Sequence, residues 1–443
     1  MRIGLIAMSG VRVRTKELAE LGVTLPQFVN RGAVVASLPS LGLLTVAGLT
    51  PPDCEVIYRE IDELPGDGEL EMFDLVGISS FTAMIDDTYA LAARYRAAGV
   101  PVVLGGLHVT LMPDEAAEHA DAIVTGGAEG AWPQLVADFR AGRMKHRYDG
   151  MRQNVFRGPW YAKPRFDLLV GRPYNRVTVQ TSRGCPLNCE FCAASLRITN
   201  SFQQKPVELA IAEIGAAIAQ VDRPFLELAD DNTFVNKRWG KRFLRALTPL
   251  EVLWFTETDI SVADDPELLD MLAGSGCRQI LVGLESPDAD GLAGLDPHGW
   301  KRRHADHYLE AIERIQSRGI TVNGCFILGL DDDTPGTFER VRDFVDESGL
   351  LEVQLTVQTP FPGTPLYDRL RREGRLLADR YWDRCTLFDV NYRPKNMSVE
   401  DLETGLRWLF GEIYNEREFI RRKRRYIDIL HANGTAERLA AAC

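Results

Sequence analysis

The stretch Gln180-Thr-Ser-Arg-Gly-Cys185-Pro-Leu-Asn-Cys189-Glu-Phe-Cys192-Ala decides how the rest of the chain is read. Its cysteines are spaced Cys-x3-Cys-x2-Cys, behind Gly184 and the alternating run Arg176-Val-Thr-Val-Gln180. The alternating run is a strand, the glycine ends it in a turn, and thiols this close together on a loop make a metal site. Thiolates are the ligands that iron–sulfur clusters take. A cube-shaped cluster needs four ligands, so three cysteines leave one iron open. An open coordination position marks a reactive centre rather than a structural one. The blander readings are a zinc site lacking its fourth ligand, or three unrelated buried thiols.

Composition sets the frame. The chain has 443 residues, 45% apolar and 26% charged, enough for two or three domains with ordinary cores. A net charge of −12 argues against nonspecific nucleic-acid binding across the surface. Of the eight cysteines, those outside the loop are scattered, as at Cys54, Cys277, Cys325 and Cys385, and read as free thiols. Free thiols beside a cluster point to a reducing, cytoplasmic setting. The N-terminus does not read as a signal peptide, and no apolar run approaches membrane-spanning length.

Upstream of the loop, residues 1–144 alternate strands and helices. Strands are expected at 2–8, 54–61, 75–80, 100–104 and 122–125, with helices at 38–49, 87–98, 113–119 and 131–140. The nearly all-apolar 100–104 suits a parallel sheet buried on both faces. The expected fold is therefore α/β, doubly wound and flavodoxin-like. Ligands of such sheets sit at the carboxyl ends of the strands, here Ser79-Ser80-Phe81-Thr82, Gly105-Gly106-Leu107-His108 and Gly126-Gly127-Ala128-Glu129. Glycines let backbone approach a ligand, and hydroxyls offer hydrogen bonds. The turn-rich segment 11–37 can close over such a ligand.

Residues 145–173, with Gly150, Gly158, Pro159, Pro164 and Pro173, read as a linker whose Trp160 and Tyr161 pack at a domain interface. Over 174–368 strand and helix alternate again, as in a partial (β/α) barrel with its site at the carboxyl ends of the strands. Those ends carry Asp230-Asp231, Thr256-Glu257-Thr258-Asp259 and Glu285-Ser286, and Tyr367 is a candidate to face substrate. Residues 369–443 read as helical, with Ser398 as an N-cap and Arg421-Arg-Lys-Arg-Arg425 as a solvated basic face.

The cysteine spacing, with Phe191 before the third cysteine, resembles that of the radical S-adenosylmethionine (radical SAM) superfamily. The glycine and serine loops ahead of it resemble the cobalamin (B12)-binding domain of the family that includes the cobalamin-dependent radical SAM methyltransferases and the anaerobic Mg-protoporphyrin oxidative cyclase. The resemblance implies a [4Fe–4S] cluster on Cys185, Cys189 and Cys192 whose open iron binds SAM and cleaves it to a 5′-deoxyadenosyl radical. It implies SAM contacts at Asp230, Asp231, Thr256, Glu257, Asp259, Glu285 and Ser286. It implies cobalamin contacts at Ser79, Ser80, Phe81, Thr82, Gly105, Gly106, His108, Gly126, Gly127 and Glu129. The Asp-x-His-x-x-Gly motif is absent, since the first strand runs into Ser9-Gly10-Val11-Arg12. That implies cobalamin without a protein histidine under the cobalt, or a domain that has given cobalamin up.

The expected activity is methylation of an unactivated carbon of a small molecule, with electrons from a donor such as flavodoxin or ferredoxin. Two alternatives stand beside it. One is radical SAM cyclisation, rearrangement or oxidation without methyl transfer, with or without cobalamin. The other is a noncatalytic cobalamin or redox sensor. The substrate is not legible in the residues.

Overall fold

A computed structural model describes residues 1–20, 38–66, 68, 70–151, 155–156, 160–172, 174, 176–194, 196–199, 201–221 and 224–435. Most of the 11–37 segment, and the linker's Gly158, Pro159 and Pro173, lie outside the described residues. Among those described, the chain forms two six-stranded sheets and a two-stranded ribbon.

The first sheet comprises β1 (Arg2–Met8), β2 (Glu55–Ile61), β3 (Leu75–Ser80), β4 (Val102–Gly105), β5 (Ala122–Gly126) and β6 (Arg147–Gly150). Its order is β2-β1-β3-β4-β5-β6, all parallel. Val102, Val103 and Leu104 are fully buried, as a strand covered on both faces requires. The winding reverses between β1 and β3, which is where an open α/β sheet of this order leaves its ligand crevice. Beside that crevice runs helix Leu41–Leu49, opened by Ser40, whose hydroxyl accepts from the Leu43 amide.

The sixth strand, β6, falls inside the stretch read as linker. Its Arg-Tyr-Asp-Gly sequence exposes alternate residues, while Tyr148 turns inward with its hydroxyl 3.1 Å from Asp138. A four-residue edge strand with one wet face carries too few apolar residues to stand out by periodicity.

The second sheet contains β7 (Val177–Val179), β10 (Phe225–Leu228), β11 (Leu253–Glu257), β12 (Cys277–Glu285), β13 (Thr321–Leu328) and β14 (Glu352–Val357), parallel and in that order. Between β7 and β10 lies the antiparallel ribbon of β8 (Ser182–Arg183) and β9 (Gln203–Gln204). Leu281, Gly283, Cys325, Ile327 and Gln354 stay part-exposed in mid-strand, so they face a bore, and the sheet is a partial barrel.

The C-terminal segment is helical, with helices Pro365–Arg372, Val399–Ile413 and Glu416–Ala432. Ser398 caps the second of these in a reciprocal box with Asp401. The basic run is not simply a solvated face. Arg422 is buried and donates to the Ile413 carbonyl at 2.9 Å, Arg421 pairs with Asp346, and Arg425 donates to the Glu347 carbonyl at 2.6 Å. Those contacts fasten the last helix to the barrel. The segment also returns to the first domain: Asp389 accepts from the Thr15 amide at 2.7 Å, and the Trp382 indole donates to Glu115 at 3.0 Å.

Candidate functional site

A cleft of about 320 Å³ opens between the carboxyl ends of the first sheet and the part of the barrel that carries β7 and β8. That lies within the roughly 300–1,000 Å³ of small-molecule pockets. The first domain lines it with Ser79, Gly105, Gly106, Gly126, Gly127 and Glu129. A Cβ on Gly105 would meet nothing nearer than 3.7 Å, so its missing side chain leaves space in the cleft. Gly106 holds φ at +106°, and a Cβ there would come 2.7 Å from the Ser79 hydroxyl. An apolar lining that includes Val103, Val124 and Trp132, opened at Gly105, suits a planar cofactor such as a corrinoid. Among the described residues, no histidine lines it.

Four of the expected cobalamin residues lie off the cleft: Ser80, Phe81, Thr82 and His108 do not line it. Past Ser79 the chain turns away, leaving Phe81 52% exposed and Thr82 buried. His108 is buried 3.3 Å from the Thr82 hydroxyl and 3.7 Å from Glu115, with its ring edge-on to Trp382. It belongs to the contact with the C-terminal segment.

The cleft's opposite wall sets Lys205, Glu213 and Arg183, which sequence reasoning did not select, beside Tyr161, which was expected at a domain interface. Lys205 places Nζ 2.8 Å from both Glu213 oxygens, and the Tyr161 hydroxyl donates to Glu213 at 3.0 Å. Arg183 crosses to Glu129 at 2.9 Å. Burial opposes the charge of Glu129, and Arg183 nonetheless holds its carboxyl below the usual range. These residues come from four separate segments. Besides Tyr161, only Gln180 and Arg183, being next to the cysteines, carried any local hint.

Past β8 the cysteine loop begins, with Cys189 buried and Cys185 and Cys192 half-buried. Gly184 sits at φ +86°, where a Cβ would come 2.8 Å from the Ser201 carbonyl. The Arg197 guanidinium donates to the carbonyls of Cys192 at 2.9 Å and Cys189 at 3.2 Å. Glu190 is gripped by Arg369 through both oxygens, at 2.7 and 3.1 Å. The loop is thus held by its backbone and flanks, leaving the thiols to a ligand. Burial, with mutual repulsion adding to it, pushes Cys189 up to about 12 and Cys192 up to about 11. Thiols in that state need a cation to become thiolates. Among the described residues, no three His, Cys, Asp or Glu side chains form a group able to hold a single ion.

At the carboxyl ends of the barrel strands, the expected SAM residues divide. Asp230 is buried, and both its oxygens are taken: it accepts from the Thr181 amide at 2.6 Å, the Ser182 amide at 2.8 Å and the Thr233 hydroxyl at 3.0 Å, and from the Thr181 hydroxyl. It clamps the β7–β8 turn instead of offering itself to a ligand. Thr256 is turned to Thr233 at 2.6 Å, and buried Ser286 accepts from the Asp288 amide. Asp231 accepts from the Gly184 amide at 2.9 Å. Asp259 accepts from Asn232 at 2.7 Å, and that same amide lies 3.9 Å from the Cys185 sulfur. Glu285 sits at φ +65° and pairs with buried Lys301 at 2.8 Å. Glu257 reaches the bore with no protein hydrogen-bond donor to its carboxyl among the described residues. Burial, reinforced by Glu227, Asp231 and Asp230, pushes it up to about 8. Tyr367 is buried, its ring 6.1 Å from Trp382, and serves packing rather than the bore.

Comparison with known proteins agrees with this layout. The radical SAM superfamily profile matches residues 179–345, a B12-binding domain profile matches 29–136, and a domain of unknown function matches 364–441. The bacteriochlorophyllide d C-12(1)-methyltransferase of Chlorobaculum tepidum is 26% identical over 404 residues, 89% of this chain and 86% of the relative. The anaerobic magnesium-protoporphyrin IX monomethyl ester cyclase of Rubrivivax gelatinosus is 24% identical, covering 67% of this chain and 58% of its own. In fold, the radical SAM methyltransferase TsrM of Kitasatospora setae, solved with cobalamin and a [4Fe–4S] cluster, superposes with a TM-score of 0.63 at 18% identity, over 84% of this chain and 78% of that one. A radical SAM domain implies a [4Fe–4S] cluster and SAM, and a B12-binding domain implies cobalamin; the cysteine loop and the glycine-walled cleft fit them. The chain is a B12-binding domain joined to a radical SAM domain, the pairing found in the cobalamin-dependent radical SAM methyltransferases.

Proposed function

We propose that this chain is a cobalamin-dependent radical SAM enzyme that methylates an unactivated carbon of a small-molecule substrate. One observation carries the reading: the glycine-walled cleft and the cysteine loop meet at β8, so a methyl carrier and a radical source would share one chamber. When bound, the cluster with SAM supplies a 5′-deoxyadenosyl radical, and cobalamin supplies the methyl group. The protein's part is placement. Cys185, Cys189 and Cys192 hold the cluster, Arg197 and Arg369 keep their loop in shape, and Asn232 with Asp259 stands beside Cys185. Glu257, kept protonated by burial and by Glu227, Asp231 and Asp230, is the carboxyl best placed to ionise against a cationic group of SAM. Gly105 admits the corrinoid by what it lacks, while Gly106, Gly126 and Gly127 let the loops pack closely behind it.

The test is anaerobic purification with hydroxocobalamin supplied, followed by iron, sulfide and cobalt counts and an assay for 5′-deoxyadenosine. The proposal expects about four irons and near-stoichiometric cobalt, with SAM cleaved on reduction. Full iron with no retained cobalt would sink the methyl-transfer reading.

A further inference from the structure

Two residues that bracket the cysteine loop also line the cleft. Arg183 stands just before Cys185 on β8, and Ile198 follows Cys192 in the short helix Leu196–Thr199. The Arg183 guanidinium reaches across the domains to Glu129 at 2.9 Å, with side chains 11% and 6% exposed. Its Nε donates to the Gln180 side chain at 3.0 Å, and the Phe156 ring lies 5.2 Å from its Cζ. On the other side, Glu129 follows Gly126 and Gly127 in a wall of the cleft. A Cβ on Gly127 would come 2.5 Å from Glu129 Oε2 and 3.1 Å from Arg183 Nη1, so the pair is packed directly against that wall. Behind Arg183 the backbone has little freedom, because Asp230 clamps Thr181 and Ser182. A displacement of the wall is therefore passed toward Cys185 rather than absorbed by the turn.

We propose that the Arg183–Glu129 pair couples the two cofactor sites. Filling the cleft fixes the Gly126–Glu129 loop and, through the ion pair, the strand that leads into the cysteines; loading the cluster fixes the cleft in return. The inference rests on the assignment of the cleft to cobalamin and the loop to an iron–sulfur cluster. Both residues are positioning residues, and neither is assigned contact with cobalt or iron. Linkage makes the coupling reciprocal, so it is measurable from either site.

The experiment titrates hydroxocobalamin into the full chain by absorbance, once with the cluster reconstituted and once after chelation of the iron. Reconstituted protein is expected to bind more tightly, by a factor within about 5- to 150-fold. Arg183→Gln and Glu129→Gln should each bring that ratio close to one. The exchange Arg183→Glu with Glu129→Arg should recover part of it, and circular dichroism separates loss of coupling from loss of fold. From the other side, hydroxocobalamin should alter the paramagnetic resonance line shape of the reduced cluster in the wild type but not in Arg183→Gln. Equal affinity in loaded and stripped wild type, or an unchanged ratio in the folded variants, overturns the coupling and leaves the cofactor assignments standing. No hydroxocobalamin binding in either form overturns the assignment of the cleft, and the coupling with it.

Discussion

The two parallel sheets end in different chemistry. At the carboxyl ends of the first, the cleft wall is glycines and apolar side chains: Gly105, Gly106, Gly126 and Gly127 stand among residues such as Val103 and Val124, and the cleft-lining carboxylate there, Glu129, has Arg183 beside it. At the carboxyl ends of the second, carboxylates crowd together. Asp230, Asp231, Glu257, Asp259 and Glu285 share the barrel mouth, where Glu285 pairs with Lys301. The first site is built to be filled by shape. The second is built around negative charge that the protein leaves partly uncompensated, as suits cationic ligands. The contrast also separates which residues hold the protein together from which wait for a ligand.

Asp230 is the strongest test of that separation, because it looks like a ligand residue and is placed as a structural one. Asp230→Ala leaves two backbone amides and two hydroxyls without their acceptor in a buried turn. We expect a stability loss of about 3–5 kcal/mol, read as a lower denaturation midpoint in the cluster-free protein. A variant with unchanged stability that fails only to bind SAM would return Asp230 to the site.

Gly105→Val tests the other half of the comparison. The nearest atom to the added Cβ is the Val124 carbonyl oxygen, at 3.7 Å, so the fold has room for it while the cleft loses space. Hydroxocobalamin affinity should fall about tenfold or more, from overpacking against the corrinoid of about 1–3 kcal/mol, with thermal stability nearly unchanged. Unaltered affinity would mean that the cofactor does not approach β4.

Legibility follows the same division. The cysteine triplet and the strand–helix alternation stood out because each is a local pattern of fixed spacing. The glycines at the ends of β4 and β5 could be read as a ligand wall, since strand ends of an α/β sheet are where ligands sit. Direction was not legible. Whether Asp230 or Asp231 faces a ligand, and whether Thr82 and His108 face the cleft or the C-terminal segment, depends on how a few turn residues rotate their side chains. Tyr161 was expected at a domain interface, but Arg183, Lys205 and Glu213 escaped for another reason: Arg183 meets Glu129 only across the two domains, and an isolated lysine in Gln-Gln-Lys-Pro has no periodicity to reveal its pairing with Glu213.

Compensated and uncompensated carboxylates should also titrate in opposite senses. Burial opposes ionisation of Glu115, but His108, Trp382 and Arg380 outweigh it and hold the carboxyl down to about 2. Its contribution is present above its ordinary value of 4.5 and is lost as pH falls toward 2. Glu115→Gln should cost about 1–3 kcal/mol near neutrality and flatten the acid limb of the stability curve. Glu257 runs the other way. Raised from 4.5 to about 8, it carries its proton in the folded chain and releases it on unfolding. The contribution of Glu257 is therefore fully present below pH 4.5 and is lost as pH rises through about 8. Glu257→Gln removes that loss, so the cluster-free variant should melt higher than the wild type at pH 8, by about 1 kcal/mol or more, and match it near pH 5. Parallel melting curves for the two proteins from pH 5 to 8 would mean that Glu257 is ionised and already compensated, and the barrel mouth would lose the carboxyl held ready for a cationic ligand on which the comparison of the two sheets depends.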